Sequence, residues 1–443
     1  MNLRAALRPV AVLLVLAISP RIFPNTAVIP EAAKLNHQGL DHLHKGQYDQ
    51  AIALFRRALA VQPEFPEALD NLGKALDATG KDAEAVADFD KAIKIAPENA
   101  NVYADKGLAL FHEGKYEDAV AAYREALDHH KDFPEAQNGL GAALVHLNRT
   151  DEAITAFKAA VALNPKYPDA LGNLGSALLS QNKPAEALPY LRQAHALRPD
   201  QPDLLENYAH ALDAAGQPNE AIAAYHKLTS KQPDQPAPWA HLGYAYSKAK
   251  RYDKAVSAFQ KSVSLKSNQP EVLVALGQAQ LELHKTTDAI HSFEQAFALK
   301  PDDFYSLYNL GSAYFSQKDF VKSASFYEKA YAVKPDYPDT LVGLAASQLN
   351  ANQFDAAIAT CQKLLPLKPD DANVHFNCGT ALFNAGKFPE AAASYREATR
   401  LNPRFANAHY NLAQCLLRLN DPAGAKTEFV EAQRLDPSLA LPK

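Results

Sequence analysis

A repeat of 34 residues constrains this chain more than any other feature of its sequence. The stretch PEALDNLGKALDATG at 66–80 returns as PDALGNLGSALLSQN at 168–182 and as ANAHYNLAQCLLRLN at 406–420, at offsets of 3 and 10 times 34 residues. Counted from Ala32, twelve units of this length follow one another without insertion and end at Leu439. Self-similarity at such a period predicts a stack of small helical units, each packed on its neighbours, instead of one compact core.

The positions that keep their residue type within the unit describe a pair of packed helices. Positions 4, 7, 8 and 11 are spaced as one face of a first helix, and positions 20, 24 and 27 as one face of a second. Position 8 is Gly in nine units and Ala in three, and position 20 is Ala in eleven, so the two helices can approach closely. Position 24 is Phe or Tyr in ten units and fills the space beside them. Position 15, Gly or Asn in nine units, ends the first helix, and position 32, Pro in ten, ends the second.

This pattern resembles the tetratricopeptide repeat family, whose signature is W-x2-L-G-x2-Y, then A-x3-F, then P. The resemblance covers 408 of the 443 residues. It implies an all-α fold, a right-handed superhelical α-solenoid of about twelve helix-turn-helix repeats whose first helices line a concave groove. The seventh unit carries the motif most fully, with Trp239, Leu242, Gly243, Tyr246, Ala255 and Phe259.

The chain divides by this count into a leader, an array and a short tail. We expect residues 1–31 to be an export signal or N-terminal anchor with its linker, and residues 440–443 to be a tail. The twelve predicted units between them are 32–65, 66–99, 100–133, 134–167, 168–201, 202–235, 236–269, 270–303, 304–337, 338–371, 372–405 and 406–439.

The leader has the order of an export signal. Arg4 and Arg8 precede nine unbroken apolar residues at 10–18, and a polar exit follows. As a helix this run would be about 14 Å long, roughly half the hydrocarbon thickness of a bilayer. We therefore expect an exported, periplasmic or otherwise extracytoplasmic protein. An uncleaved signal that anchors the N-terminus in the membrane is one alternative, and an accident of composition is the other.

Composition and motifs disfavour several classes of function. The net charge of −5 and the lack of a Lys/Arg cluster argue against nucleic-acid binding. The three cysteines form no CxxC pair or zinc spacing, and the chain contains no Walker loop, GxSxG or HExxH motif. His44, His112 and His146 share position 13, where we expect solvated or capping roles in preference to metal ligation. The sequence thus predicts no enzymatic activity, no cofactor and no metal.

Function is then expected on the first helices, at positions 2, 5, 6, 9 and 13. These positions lie roughly 110–170° from the buried stripe at 100° per residue, so we predict that they are not core. An amide both donates and accepts hydrogen bonds, and asparagines at position 6 would suit the backbone of an extended peptide. A similar ladder occurs in the repeat domain of the O-linked N-acetylglucosamine transferases, which the array resembles in this detail. Plain solvation of a duplicated motif is the alternative for the six asparagines, Asn71, Asn173, Asn207, Asn309, Asn377 and Asn411.

Aromatic residues single out the last four units as the predicted binding region. Exposed aromatics are the usual anchors of an interface, although packing between units would also explain them. Position 5 is never Lys or Arg, which disfavours the chaperone-binding subgroup of the family that clamps a terminal carboxylate. The candidates are Tyr305, Tyr308, Phe376 and Tyr410 on the groove, with Phe315 and Phe383 at its border with the core.

Two further expectations concern the cysteines and the end of the array. If the chain is exported, Cys361 and Cys378 are the pair that comes close enough for a disulfide, but we favour buried free thiols. No extra capping helix follows the twelfth unit, so this end is expected to meet a partner or a second copy of the chain. The alternative is that its last helix is polar enough to be exposed.

These features together predict a non-enzymatic scaffold that binds extended peptides or partner proteins in the groove. A structural component of an envelope assembly, polysaccharide-export or secretion complex is the first alternative. A substrate-recognition subunit for a separate glycosyltransferase is the second. In each case the expected partner is a protein or peptide and not a nucleic acid.

Overall fold

The computed structural model describes residues 28–439, so residues 1–27 of the predicted N-terminal segment and the tail at 440–443 lie outside the described residues. Residues 28–439 form 24 α-helices and contain no strand, which confirms the all-α prediction. The helices alternate as the first and second members of twelve pairs. We refer to the odd-numbered helices as first helices and to the even-numbered ones as second helices.

The chain divides into two compact bodies, Met1–Lys231 and Gln232–Lys443, and each holds six helix pairs. The helices of the first body are α1 (Pro30–His44), α2 (Tyr48–Val61), α3 (Pro66–Asp77), α4 (Asp82–Ile95), α5 (Ala100–His112), α6 (Tyr116–His129), α7 (Pro134–His146), α8 (Thr150–Leu163), α9 (Pro168–Ser180), α10 (Pro184–Leu197), α11 (Pro202–Ala214) and α12 (Pro218–Lys231).

The second body repeats the same alternation. Its helices are α13 (Pro236–Lys248), α14 (Tyr252–Leu265), α15 (Pro270–Glu282), α16 (Thr286–Leu299), α17 (Phe304–Ser316), α18 (Phe320–Val333), α19 (Pro338–Asn350), α20 (Phe354–Leu364), α21 (Ala372–Asn384), α22 (Phe388–Leu401), α23 (Ala406–Arg418) and α24 (Pro422–Leu435).

The starts of the first helices follow from local chemistry. Most begin with a proline in their first turn, where the missing N–H costs no hydrogen bond. Three of the first helices that lack this proline have a side-chain cap. Asn99, Asp303 and Asp371 accept hydrogen bonds from backbone N–H groups in the first turns of α5, α17 and α21.

The turn inside each pair imposes a left-handed backbone at position 15. All twelve residues there have a φ between 56° and 82°, although only five of them are glycine. Asparagine tolerates this region, but Lys250, His284 and Lys318 also adopt it. The prediction that position 15 ends the first helix therefore holds even where the residue type does not favour that conformation.

Glycine at position 8 lets the aromatic ring at position 24 cross the first helix. A Cβ atom added to Gly73 would lie 2.6 Å from Cε1 of Phe89, closer than a real Cβ contact allows. Both members of a pair are therefore held together by this ring, which is almost fully buried.

Contacts between units differ for the two kinds of helix. Within each body, a second helix packs against the first helix of the next unit. Successive first helices also contact each other directly, for example α1 with α3 and α5 with α7, whereas successive second helices make few or no such contacts. The first helices therefore form the more crowded layer, and this crowding decides which of their side chains reach solvent.

Candidate functional site

Buried polar side chains join neighbouring first helices in the first body. Asn71 Nδ2 donates to Asn36 Oδ1 at 3.0 Å, and Asn173 Nδ2 donates to Asn138 Oδ1 at 2.9 Å. Asn207 repeats the arrangement with a serine, because its Nδ2 donates to the Oγ atom of Ser176 at 2.9 Å. These bonds connect consecutive units of the array.

The prediction that position 6 cannot be core is wrong in this body. Asn71, Asn173 and Asn207 are only 1%, 8% and 7% exposed. A first helix is covered on two sides, by the second helix of its own unit and by the first helix of the neighbouring unit. That helix covers positions 5 and 6, so buried amides there must be hydrogen-bonded within the protein.

The asparagines of the second body are more open. Asn309, Asn377 and Asn411 are half-buried. Asn411 Nδ2 donates to the hydroxyl of Tyr395 at 3.3 Å. Asn309 Nδ2 is shielded from solvent and has no hydrogen-bond partner among residues 28–439. The Nδ2 group of Asn309 therefore keeps hydrogen-bonding capacity that the corresponding groups of the first body have used.

The aromatic residues at position 5 pack on rings of their own repeat. The centroid of the Tyr308 ring lies 5.5 Å from that of Tyr327 and 5.6 Å from that of Tyr337. Burial raises the pKa of the Tyr308 hydroxyl. Phe376 lies 5.7 Å from Tyr395 and 4.7 Å from Phe405. In each case the contacts are with the rings at positions 24 and 34, and the position-5 ring remains half-buried.

The remaining candidate aromatics divide between packing and exposure. Tyr410 is half-buried and meets Phe429 at 5.3 Å, as the other position-5 rings meet position 24. Phe315 and Phe383 are also half-buried and pack across the turn of their pairs, at 5.3 and 5.4 Å from the rings at position 17. Tyr305 differs from all of these because it is 59% exposed.

Two buried carboxylates share one lysine in the first body, a feature that the sequence argument missed. Lys74 Nζ lies 3.0 Å from Oδ2 of Asp70 and 2.8 Å from Oδ2 of Asp105. Burial, which Lys74 only partly offsets and to which Asp70 adds, raises the pKa of Asp105 to about 7. The sequence did contain a signal for this cluster. Asp70 and Lys74 occupy positions 5 and 9 of the second unit, and Asp105 occupies position 6 of the third.

A disulfide bond connects two units of the second body. Cys361 on α20 and Cys378 on α21 are joined, with their Cα atoms 5.7 Å apart, and both are buried. The sequence predicted that these two cysteines lie close together, and this is confirmed. The prediction that they remain free thiols is wrong. Cys361 occupies position 24, where ten other units have a ring, and the bond fills that space. Cys415 is a buried free thiol whose pKa burial raises to about 11.

None of the helices within residues 28–439 is long and apolar enough to cross a membrane. Helix pairs repeated every 34 residues, with a small residue at position 8 facing a ring at position 24 in most units, define an α-helical repeat protein.

Family models of the tetratricopeptide repeat match most of the array. One matches residues 37–100, 104–168, 143–202, 274–339 and 378–440, a second matches 178–243 and 314–375, and a third matches 237–269. The chain therefore belongs to the tetratricopeptide repeat family. Proteins of this family are protein-interaction scaffolds, and they are typically not catalytic.

Solved structures of the same class resemble parts or most of the chain. YrrB, described as a TPR protein with an unusual peptide-binding site, is 25% identical, covers 42% of this chain with 96% of its own, and has a TM-score of 0.40. The Cut9–Hcn1 hetero-tetramer of the APC/C is 15% identical and covers 93% of this chain with 95% of its own, at a TM-score of 0.37. Yeast Tom70 is 20% identical with 92% coverage of both chains, at a TM-score of 0.35. With TM-scores below 0.5, these likenesses carry no information on the partners of this chain.

A search of curated protein sequences gives no match to this chain.

Proposed function

We propose that this protein is a non-enzymatic scaffold that binds an extended peptide segment of a partner protein on the first helices of its second body. The observation that carries the proposal is Tyr305, a large aromatic side chain that is 59% exposed on α17. Large rings held open to solvent are typical anchors of protein interfaces.

Polar groups beside this ring match the backbone of a peptide. Tyr305 and Asn309 are four residues apart, so they share a face of α17. On α21 and α23 the same two positions are both asparagine, with one exposed and one half-buried residue in each pair. The ring would supply affinity, while the exposed amides of Asn373 and Asn407 would donate to and accept from the peptide backbone. The buried asparagines of the first body are not part of this site.

Tyr305 is also the residue that tests the proposal most cleanly. Extended peptides selected by display on the full-length protein would be measured for affinity against Tyr305→Ala. Truncation of an anchor typically costs 2 kcal/mol or more, about a thirtyfold loss of affinity. The change should leave the melting temperature unaffected, since among residues 28–439 the Tyr305 ring meets one other ring, Phe304, at a centroid distance of 5.4 Å.

Tyr48 provides the matched control, because it is a partly exposed tyrosine in the first body, at the start of a second helix. Tyr48→Ala should leave affinity for the selected peptides within about twofold of the wild type. Equal binding by the Tyr305→Ala variant and the wild type would contradict the site. Tyr308→Ala is a poorer test, since its ring packs on Tyr327 and Tyr337 and its loss would disturb the fold.

The same scaffold is proposed to act outside the cytoplasm. The basis is the leader sequence, with Arg4, Arg8 and the apolar run at 10–18, together with the disulfide between Cys361 and Cys378. Disulfides persist in oxidising compartments and are rare in the cytosol. Fractionation of cells should therefore place the chain in an extracytoplasmic fraction. Recovery of the full-length chain in the cytoplasm with reduced cysteines would contradict this location.

A further inference from the structure

Three helix ends of the first body bring two carboxylates and an imidazole together. Asp77 is the last residue of α3, Asp82 is the first residue of α4 and His112 is the last residue of α5. One potential ligand atom from each lies within 4.8 Å of the others, and Nδ1 of His112 is 2.9 Å from Oδ1 of Asp77. The group lies where the two helices of a pair turn, in the body that does not contain the proposed peptide site.

The same three positions hold a different kind of contact elsewhere in the array. One unit further along they are Phe111, Tyr116 and His146, and these rings pack with centroids 4.4 to 5.4 Å apart. In the eleventh unit, Phe383 and Phe388 pack at 5.4 Å. At those junctions, aromatic rings pack between the helix ends. At the first junction, Asp77 and Asp82 replace the two rings with carboxylates, which cannot pack in that way, while the histidine is kept as His112.

Two carboxylate oxygens at this junction have no hydrogen-bond partner among residues 28–439. Asp82 Oδ1 is shielded from solvent and has no hydrogen-bond partner among the described residues, and the same holds for Oε2 of Glu113. The other oxygen of Glu113 accepts from Lys115 at 2.7 Å. A shielded carboxylate oxygen without a partner is costly, and a cation between the carboxylates would remove that cost. The carboxyl ends of α3 and α5, which carry partial negative charge, would also favour a cation.

We propose that Asp77, Asp82 and His112 form a binding site for one divalent transition-metal ion, for which zinc is the best match. Imidazole nitrogen and carboxylate oxygen are both good zinc ligands, and three protein ligands leave a fourth position for water. The His112 side chain is 41% exposed, so the ion can enter from solvent. The bound ion would fasten α3, α4 and α5 at the junction where other units use rings.

Sequence motifs could not reveal this site. Its ligands come from the ends of three helices in two consecutive units, and their spacing of 5 and 30 residues matches no known zinc signature. The expectation of no metal rested on such motifs. The competing interpretation is that His112 binds no metal and instead forms an ion pair with Asp77 as a protonated, solvated imidazole.

Zinc titration of the full-length chain tests the proposal. The chain has 15 histidines, so the measured quantity is the difference in bound zinc between variants, followed by calorimetry and by competition with a zinc chelator. His112→Ala and Asp82→Asn should each lose one equivalent of zinc, or weaken that equivalent by more than about tenfold. Zinc should also raise the melting temperature of the wild type more than that of either variant.

His146→Ala is the matched control, since His146 occupies the same position one unit later and packs on Tyr116. It should bind as much zinc as the wild type. Circular dichroism checks that His112→Ala is folded, and if it is not, Asp82→Asn alone decides. Wild-type protein that binds no zinc at this junction, or variants that bind as many equivalents as the wild type, would overturn the proposal in favour of the simple His112–Asp77 ion pair.

Discussion

Replacement of Lys74 by methionine is expected to destabilise the first body by about 3–5 kcal/mol at pH 8. Lys74 is the cation between two carboxylates, Asp70 and Asp105, whose side chains are 0% and 2% exposed. Methionine has a similar length and fills the space, so the loss measures charge and not volume. Two buried like charges would remain without their common partner. Urea unfolding, with hydrogen exchange of α3 and α5 as a local reporter, measures the effect.

The effect of this substitution should depend on pH in a defined direction. Burial raises the pKa of Asp105 to about 7, above its ordinary value of 3.8, so the folded state binds this proton more tightly than the unfolded state. Stability therefore falls as the pH rises from about 4 to about 7. Removal of Lys74 takes away the cation that lowers the pKa of Asp105, so this pKa should rise further and the destabilisation should be smaller at pH 5 than at pH 8.

Lys106 offers a control of the same residue type. Its Nζ lies 2.6 Å from Oδ1 of Asp90, and both side chains are partly exposed. Lys106→Met should cost less than about 1 kcal/mol. Asp105→Asn should in turn flatten the dependence of stability on pH between 5 and 8. A Lys74→Met variant as stable as Lys106→Met, or one that loses equal stability at both pH values, would show that the buried charges are compensated by other groups.

The fold was predictable because each periodic position does one mechanical task in every unit. Gly73 must be small since Phe89 crosses it, and position 15 must adopt a left-handed backbone whatever its residue type. Such requirements depend on contacts within a pair, and these lie close in sequence. A pattern that repeats twelve times therefore determines secondary structure, pairing and the small residues between helices.

The surface was harder to predict because it depends on the neighbouring unit. A helical wheel treats position 6 of α3 as open, yet Asn71 bonds to Asn36 on α1 across the unit boundary. Tyr308 likewise packs on Tyr337, which precedes the next first helix. The angle between successive units decides how far such residues are covered, and no residue spacing within one unit encodes that angle. Tyr305, at position 2 near the start of α17, is not covered by the neighbouring unit and stays exposed.

The two cysteines illustrate what position alone can and cannot decide. Position 24 of one unit and position 7 of the next were expected to be close, and Cys361 and Cys378 are close. Whether two thiols at that distance are oxidised depends on the compartment and not on the fold. The bond therefore couples the stability of the second body to the proposed location outside the cytoplasm.

Loss of this disulfide is expected to cost about 3 kcal/mol, since the bond closes a loop with a sequence separation of 17 residues and restricts the unfolded chain. Cys361 also stands where ten other units have a large ring, so the bond is present in a unit that lacks the packing of that ring. The double variant Cys361→Ala with Cys378→Ala should show a lower urea midpoint and faster hydrogen exchange in α20 and α21. Helices of the first body should be unaffected.

Reducing agent separates the bond from the side chains that form it. Dithiothreitol should lower the urea midpoint of the wild type and of Cys415→Ala, in which the bonded pair is intact, but not that of the double variant. Because Cys415 is buried and unpaired, its substitution controls for the loss of a buried sulfur. Mass spectrometry of unreduced peptides should detect the linked pair. Two free thiols in protein recovered from cells, or a wild-type midpoint indifferent to reductant, would mean that the array is stable without the bond and would remove one support for an extracytoplasmic location.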